Sequence, residues 1–350
     1  MSPGRKRYAA LGYALRVVKA LPAPARERVL AGAANGVSCE LPPFPDIVRL
    51  LEAAGGMPDG TRWQQQLAAD RPDLQQVSTR DLTDTPGEFT GRLYLPPPTT
   101  SRPRAALVWV HGGAFVLGSL DQKEAHWPAV ELAAAGIAVL SIDYRKCLRG
   151  VHYPAPQDDV IAAWTWATQH ADELGVNAEQ LHLGGGSAGA CLAASTTLRL
   201  RDTGAALPAS LYLAYPVLEG ELPPATPEMG PALAARNLVS DEWVRSMFQT
   251  WSGTTSWTEP WVSPARAELA GLPPTYVLTC GRDVLRRSSE PYVARLREAG
   301  VDVSHELLPE AEHAPYDRLG SPEGERALEG LKAWLTGGSA ALAARQSGTA

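Results

Sequence analysis

The run Gly184-Gly185-Gly186-Ser187-Ala188-Gly189 constrains this chain more tightly than any other six residues. It follows the short apolar stretch Leu181 to Leu183 and leads into Ala188 to Arg201, a helical stretch rich in small residues. A strand that turns at once into a helix forces the residue at the turn into a strained backbone, and flanking side chains would clash there; glycine removes them. The turn leaves the Ser187 hydroxyl presented in front of a helix N-terminus, whose free N–H groups and positive dipole end lie beside it. With 32 glycines in the chain, a G-x-S-x-G pattern alone carries little weight, and the strand-to-helix context is what raises it.

The surrounding pattern supplies that context. Val77 to Asp81 and Glu88 to Leu95 alternate as strands and read as an antiparallel hairpin closed by Pro96-Pro97-Pro98. Short β-rich runs then alternate with helical stretches: strands Ala106 to Val110, Ala138 to Ile142, Leu211 to Tyr215, Tyr276 to Thr279 and Val303 to Leu307, and helices Gln122 to Ala135 and Asp158 to Glu173. This alternation predicts a mostly parallel sheet with helices on both faces. The first 75 residues are helical and Pro-punctuated and are expected to form a cap segment. Between Pro216 and Pro264 the alternation fails and Trp and Met cluster, which predicts a second cap region at 217–262 inserted into the catalytic domain at 76–336. Residues 337–350, rich in Gly, Ala and Ser, are expected to be a frayed tail.

Composition excludes several classes. A net charge of −6 with scattered basic residues offers no stripe for nucleic acid. Four cysteines, Cys39, Cys147, Cys191 and Cys280, show neither CxxC nor Cys/His spacing and read as free, mostly buried thiols in a reducing compartment. No HExxH or other metal pattern occurs, so neither metal nor cofactor is expected. Arg5, Lys6 and Arg7 precede an apolar run from Tyr8 to Val18, but Arg16 and Lys19 interrupt it, and an amphipathic helix of a cytoplasmic protein is the reading. No stretch is long and apolar enough to span a bilayer.

The candidate chemistry is nucleophilic. Behind the strand Ala106 to Val110 comes His111-Gly112-Gly113-Ala114-Phe115, where Gly112, Gly113 and Ala114 can present backbone N–H groups to an oxyanion, joined by that of Ala188. His111 is expected to hold the loop's shape. A G-x-S-x-G serine calls for an acid and then a histidine later in the chain. Asp283, just past the strand Tyr276 to Thr279, and His313, in the loop after Val303 to Leu307, occupy those places. His305 lies within a strand and is the weaker rival; Asp302 lies at the opposite sheet edge, and Glu310 and Glu312 read as solvated loop charges.

Together these blocks resemble the hormone-sensitive-lipase-like family of bacterial esterases and acetyl-hydrolases within the α/β-hydrolase superfamily. The resemblance runs from about Leu107 to Arg318. Besides the two glycine motifs it rests on Asp143-Tyr144-Arg145 with Tyr153-Pro154-Ala155-Pro156, on Ser263-Pro264, and on Leu272-Pro273-Pro274 leading to Asp283-Val284-Leu285-Arg286. It implies an α/β-hydrolase fold with an eight-stranded-type sheet and a helical cap. It also implies catalytic Ser187, Asp283 and His313, and oxyanion amides at Gly113, Ala114 and Ala188. The reaction implied is carboxylic ester hydrolysis on a small-molecule substrate, with a homodimer left open. Trp243, Phe248 and Trp251 are candidates for lining the acyl pocket, or else they simply pack the cap.

Three positions depart from the family pattern. Ala114 stands for a third Gly, Gly186 for an Asp, and Arg287 closes a segment that usually ends in Asp. An amide survives at Ala114. The other two changes remove carboxylates that help brace the elbow and the acid loop, which points to a specialised substrate. A lyase, dehydratase or amidase reaction on the same triad, or a non-catalytic ligand receptor, are the competing functions.

Overall fold

The computed structural model describes residues 41–54, 61–83, 89–98, 104–230, 233 and 239–347. The amphipathic run expected at Tyr8 to Val18, Cys39 and most of the N-terminal cap segment lie outside them. The chain enters through α1, Phe44–Ala54, whose Phe44, Ile47 and Leu51 recur at helical spacing and are buried. A second short helix, α2, Arg62–Asp70, leads to the hairpin β1, Ser78–Leu82, and β2, Thr90–Leu95.

The remaining elements follow in alternation: β3, Ala105–Val110; α3, Lys123–Ala134; β4, Ile137–Asp143; α4, Ala155–Gln169; β5, Leu181–Gly186; and α5, Ala188–Asp202. Then come β6, Leu211–Ala214; α6, Asp241–Ser252; β7, Thr275–Cys280; α7, Arg286–Glu298; β8, Val303–Leu308; and α8, Pro322–Gln346. The eight strands form one sheet in the order β1-β2-β4-β3-β5-β6-β7-β8, antiparallel at β1–β2 and β2–β4 and parallel elsewhere. All six residues of β3, β5 and β7 are buried, because helices cover both faces of the sheet, and β3 is accordingly a continuous apolar run.

Strand order reverses around β3, which lies between β4 and β5. Crossovers leave in opposite directions at such a point and open a crevice beyond the strands' carboxyl ends. Val110 at the end of β3 is in register with Gly185 of β5, so the loop after β3 lies directly beside the turn that holds Ser187. That proximity explains Gly189: a Cβ there would lie 2.1 Å from the Val110 carbonyl oxygen. Only glycine lets α5 approach the sheet so closely.

The inserted region contributes α6, capped by the Ser240 hydroxyl, which accepts from the Trp243 amide at 3.1 Å, with Asp241 and Glu242 in its first turn. Helix α6 packs on α1, with the Phe44 and Trp243 rings 4.7 Å apart edge to face, so the N-terminal and inserted segments meet. The end of the chain corrects the expected tail. Helix α8 breaks at Gly338, with φ 60° and ψ −151°, and then resumes to Gln346. Leu342 is buried, and Arg345 bonds the Glu306 carboxylate at 3.2 Å, contacts that hold the last turns in place. Cys147, Cys191 and Cys280 are free, buried thiols, as expected.

Candidate active site

Ser187 sits at the tip of the β5–α5 turn with φ 54° and ψ −119°, a conformation that side-chain-bearing residues rarely adopt. Its own amide donates to the Ala214 carbonyl at 2.9 Å, which fixes the turn to β6. The side chain then points to His313: Ser187 Oγ lies 2.9 Å from Nε2. Nδ1 of His313 lies 2.6 Å from Asp283 Oδ2. The other oxygen, Oδ1, accepts the Leu285 amide at 3.0 Å. Asp283 and Ser187 are buried, and only a small part of the His313 side chain reaches solvent.

The three residues arrive from separate places in the fold. Ser187 follows β5, Asp283 follows β7 through Gly281 and Arg282, and His313 follows β8. The His313 loop is braced by Arg318, which pairs with Glu312 at 2.8 Å and donates to the His313 carbonyl at 3.3 Å. Glu312, expected as a solvated charge, is therefore largely covered and paired. His305 is occupied elsewhere, its Nε2 2.9 Å from Thr279 Oγ1.

Electrostatics favour a basic imidazole. Burial alone would lower the His313 pKa, but the negative charge of Asp283 and its hydrogen bond, with smaller effects from Glu124 and Asp317, raise it above the ordinary histidine value. His111 differs: burial and the Lys146 cation push its pKa down, so it stays neutral. Its Nδ1–H donates to the Gly112 carbonyl at 2.6 Å, its ring stacks on Tyr144, and Lys146 reaches from its far side to Asp143 at 2.6 Å. His111 thus shapes the loop, as the sequence predicts.

The four expected oxyanion amides separate into two kinds. Gly112 N–H is committed: it donates to Glu124 Oε2 at 2.8 Å, so it is withdrawn from the oxyanion set. Among the described residues, the amides of Gly113 and Ala114 carry no such bond, and the Ala188 amide is at the first turn of α5, where helix geometry leaves N–H groups unpaired. Ala114 and Phe115 have φ of 53° and 64°, left-handed values that turn this loop sharply at the mouth of the site.

Sequence reasoning missed Glu124, buried in the first turn of α3. Besides holding Gly112, it accepts the Tyr215 hydroxyl on Oε1 at 2.7 Å. Its place two residues into a helix marks no such role in the sequence, since its burial and both bonds come only with the packed sheet.

Aromatic candidates for the pocket turn inward. Phe248 and Trp251 are fully buried; Phe115 stacks on Trp251 with centroids 5.0 Å apart, and Trp251 Nε1 donates to the Val262 carbonyl at 3.2 Å. They pack into the apolar core beneath α6 together with Phe115. Trp243 retains slight exposure beside Phe44. Arg287, the third departure, donates to Asp241 at 2.6 and 2.9 Å and to the carbonyls of Leu222 and Pro223.

A serine on a glycine-lined strand-to-helix turn, bonded to a histidine that is bonded to a buried carboxylate, defines a hydrolase-type site on an eight-stranded α/β sheet. A family model described as alpha/beta hydrolase fold matches residues 107–317, and the chain belongs to that family. Among its relatives is the ethyl acetate hydrolase of Pseudomonas putida, 31% identical over 271 residues, covering 75% of this chain and 81% of that one. Esterase LipI of Mycobacterium tuberculosis is 32% identical over 274 residues, covering 74% and 83%. A solved structure named bacterial heroin esterase superposes with a TM-score of 0.66 at 28% identity, covering 84% of this chain and 91% of that one. These similarities bear out the hormone-sensitive-lipase-like resemblance read from the motifs.

Proposed function

We propose that the protein hydrolyses a carboxylic ester with a short acyl or acetyl group, using Ser187 as nucleophile, His313 as general base and Asp283 as the orienting acid. That the chain is a carboxylic ester hydrolase rests on its relatives, which are named as ester hydrolases and esterases. The observation carrying the residue-level reading is the chain of contacts from Ser187 Oγ to His313 Nε2 at 2.9 Å, then from Nδ1 to Asp283 at 2.6 Å. Short acyl groups are favoured by the name ethyl acetate hydrolase.

In this mechanism His313 takes the Ser187 proton as Oγ bonds to the ester carbonyl carbon. The carbonyl oxygen becomes an oxyanion that accepts from the amides of Gly113, Ala114 and Ala188. Collapse breaks the bond to the alkoxy oxygen, which leaves as the alcohol with the proton from His313. Water then attacks the acyl-enzyme, giving its proton to His313, and Ser187 is regenerated as the carboxylic acid departs. Asp283 holds the imidazole tautomer with Nε2 facing Ser187 and stabilises the imidazolium.

The test is hydrolysis of nitrophenyl acetate, butyrate and octanoate by the wild type and Ser187→Ala, with mass spectrometry of the protein after a fluorophosphonate probe. The expected result is turnover falling from acetate or butyrate to octanoate, a loss of at least about 10³-fold in the variant, and a label on the Ser187 peptide. Turnover retained in Ser187→Ala, or a label elsewhere, would overturn the assignment. Product analysis separates the competing chemistries, since a lyase releases no acid and an amidase releases an amine.

A further inference from the structure

We infer that Glu124 is a positioning residue of the acyl-transfer site, its buried carboxylate joining the oxyanion loop to the nucleophile turn through the space left open by Gly186. The inference rests on the proposed serine-hydrolase reading and names a part of its machinery. Two hydrogen bonds and one steric fit carry it. Oε2 accepts the Gly112 amide at 2.8 Å, Oε1 accepts the Tyr215 hydroxyl at 2.7 Å, and a Cβ added to Gly186 would lie 2.3 Å from Oε1 and 3.0 Å from the Tyr215 hydroxyl oxygen.

The carboxylate is thus wedged between the loop after β3, the last residue of β5 and the residue after β6. Gly112 is the residue before the two amides assigned to the oxyanion, and Gly186 is the residue before Ser187. A Cβ on Gly112 would also lie 3.0 Å from Ser187 Cβ, so the loop and the turn are in direct register here. Holding Gly112 by its N–H fixes where Gly113 and Ala114 point, and oxyanion stabilisation depends on donors placed before the charge develops. Tyr215 remains a donor, because burial and the adjacent Glu124 charge push its phenol well above the ordinary tyrosine pKa. The family's Asp is absent at 186, and Glu124 fills its room; both carboxylates together would be crowded and mutually repelled.

The groups facing His313 decide how this arrangement reads out in pH. They are Asp283 from the loop after β7, Glu124 from α3, Tyr215 at the end of β6, and Glu312, Asp317 and Arg318 from its own loop. Removing the Glu124 charge leaves Asp283 in contact but takes away one influence that favours the imidazolium.

The experiment compares wild type, Glu124→Gln, Glu124→Ala and Glu124→Ala/Gly186→Asp on a nitrophenyl ester, with full pH profiles and fluorophosphonate labelling. In Glu124→Gln, kcat falls roughly tenfold to a hundredfold with KM little changed, and the midpoint of kcat/KM moves to lower pH while Ser187 is still labelled. Relocating the carboxylate in the double variant recovers part of the kcat lost in Glu124→Ala. A folded Glu124→Gln with wild-type kcat and an unmoved profile would overturn the inference. If Glu124→Gln does not fold, the double variant decides: folding with recovered kcat supports the inference, and folding without recovery over Glu124→Ala overturns it. Wild-type enzyme with neither ester turnover nor a Ser187 label would instead sink the serine-hydrolase reading.

Discussion

Arg287 reaches out of helix α7 to Asp241 at the start of helix α6 and makes two parallel hydrogen bonds, 2.6 and 2.9 Å long, while its remaining donors take the carbonyls of Leu222 and Pro223. The residue lies four positions after Asp283, so one side chain fastens α6 to the segment that carries Asp283. Replacing it should release α6 before it harms the sheet. Arg287→Ala is expected to cost on the order of 1–3 kcal/mol and to speed limited proteolysis within residues 217–262. An unchanged cleavage rate would show that α6 is held by its apolar contacts alone.

A second expectation concerns Asp283. Asp283→Asn keeps the shape but offers an amide where a carboxylate faced the imidazole, so the ring is stabilised in the wrong tautomer and the imidazolium loses its partner. The expected loss is about 10⁴-fold in kcat, with KM nearly constant. Steady-state kinetics on nitrophenyl acetate measures it, and a loss below tenfold would remove Asp283 from its assigned role.

The raised pKa of His313 gives a pH dependence with a definite sign. The base must be neutral to accept the Ser187 proton, so kcat/KM should rise with pH through a midpoint above the ordinary histidine value of about 6.5. Burial works against that shift, and Asp283, Glu124 and Asp317 together move the midpoint upward. Stability runs the other way. Protonated His313 is favoured in the folded state, so its contribution is fully present below about pH 6.5 and is lost as pH rises through the folded value. A flat activity profile across this range would exclude His313 as the base.

Two other histidines act in the opposite sense. Burial lowers the pKa of His126 to about 4 and of His182 to about 4. Above pH 6.5 both are neutral in either state and contribute no slope. As pH falls toward 4 the unfolded chain gains protons first, and stability should drop by up to roughly 3 kcal/mol per residue. Urea unfolding at pH 7 and pH 5 measures this. His182→Asn, which can still reach the Ser210 hydroxyl that lies 2.8 Å from His182 Nδ1, should flatten the dependence.

The strands and the convergence of Ser187, Asp283 and His313 were legible because their signals are local: apolar runs bounded by Gly and Pro, and loops at sheet ends in a fixed chain order. β5 was read as Leu181 to Leu183 and continues to Gly186, since glycines carry no strand propensity although the register with β3 and β6 holds them extended. Helix α4 begins earlier than the apolar spacing suggested, at Ala155, because the adjacent prolines fit a first helical turn. The commitment of the Gly112 amide and the importance of Glu124 were not legible, for both depend on a contact across twelve residues that only the packed sheet creates. The aromatic run in the cap gave composition but no direction, and Phe248 and Trp251 proved to face the core. The glycines at 337 and 338 looked like a stop, whereas tertiary contacts carry the helix past them.

That last helix has a mechanical consequence. Arg326 before the break and Arg345 after it both converge on Glu306 of β8, whose carboxylate also accepts the Tyr276 hydroxyl. The bend at Gly338 is therefore spanned by a staple rather than free to swing, and the final turns act as a buttress along the outermost strand. Trimming the chain at the bend would leave Glu306 with one of its two cations and loosen the edge from which the His313 loop departs.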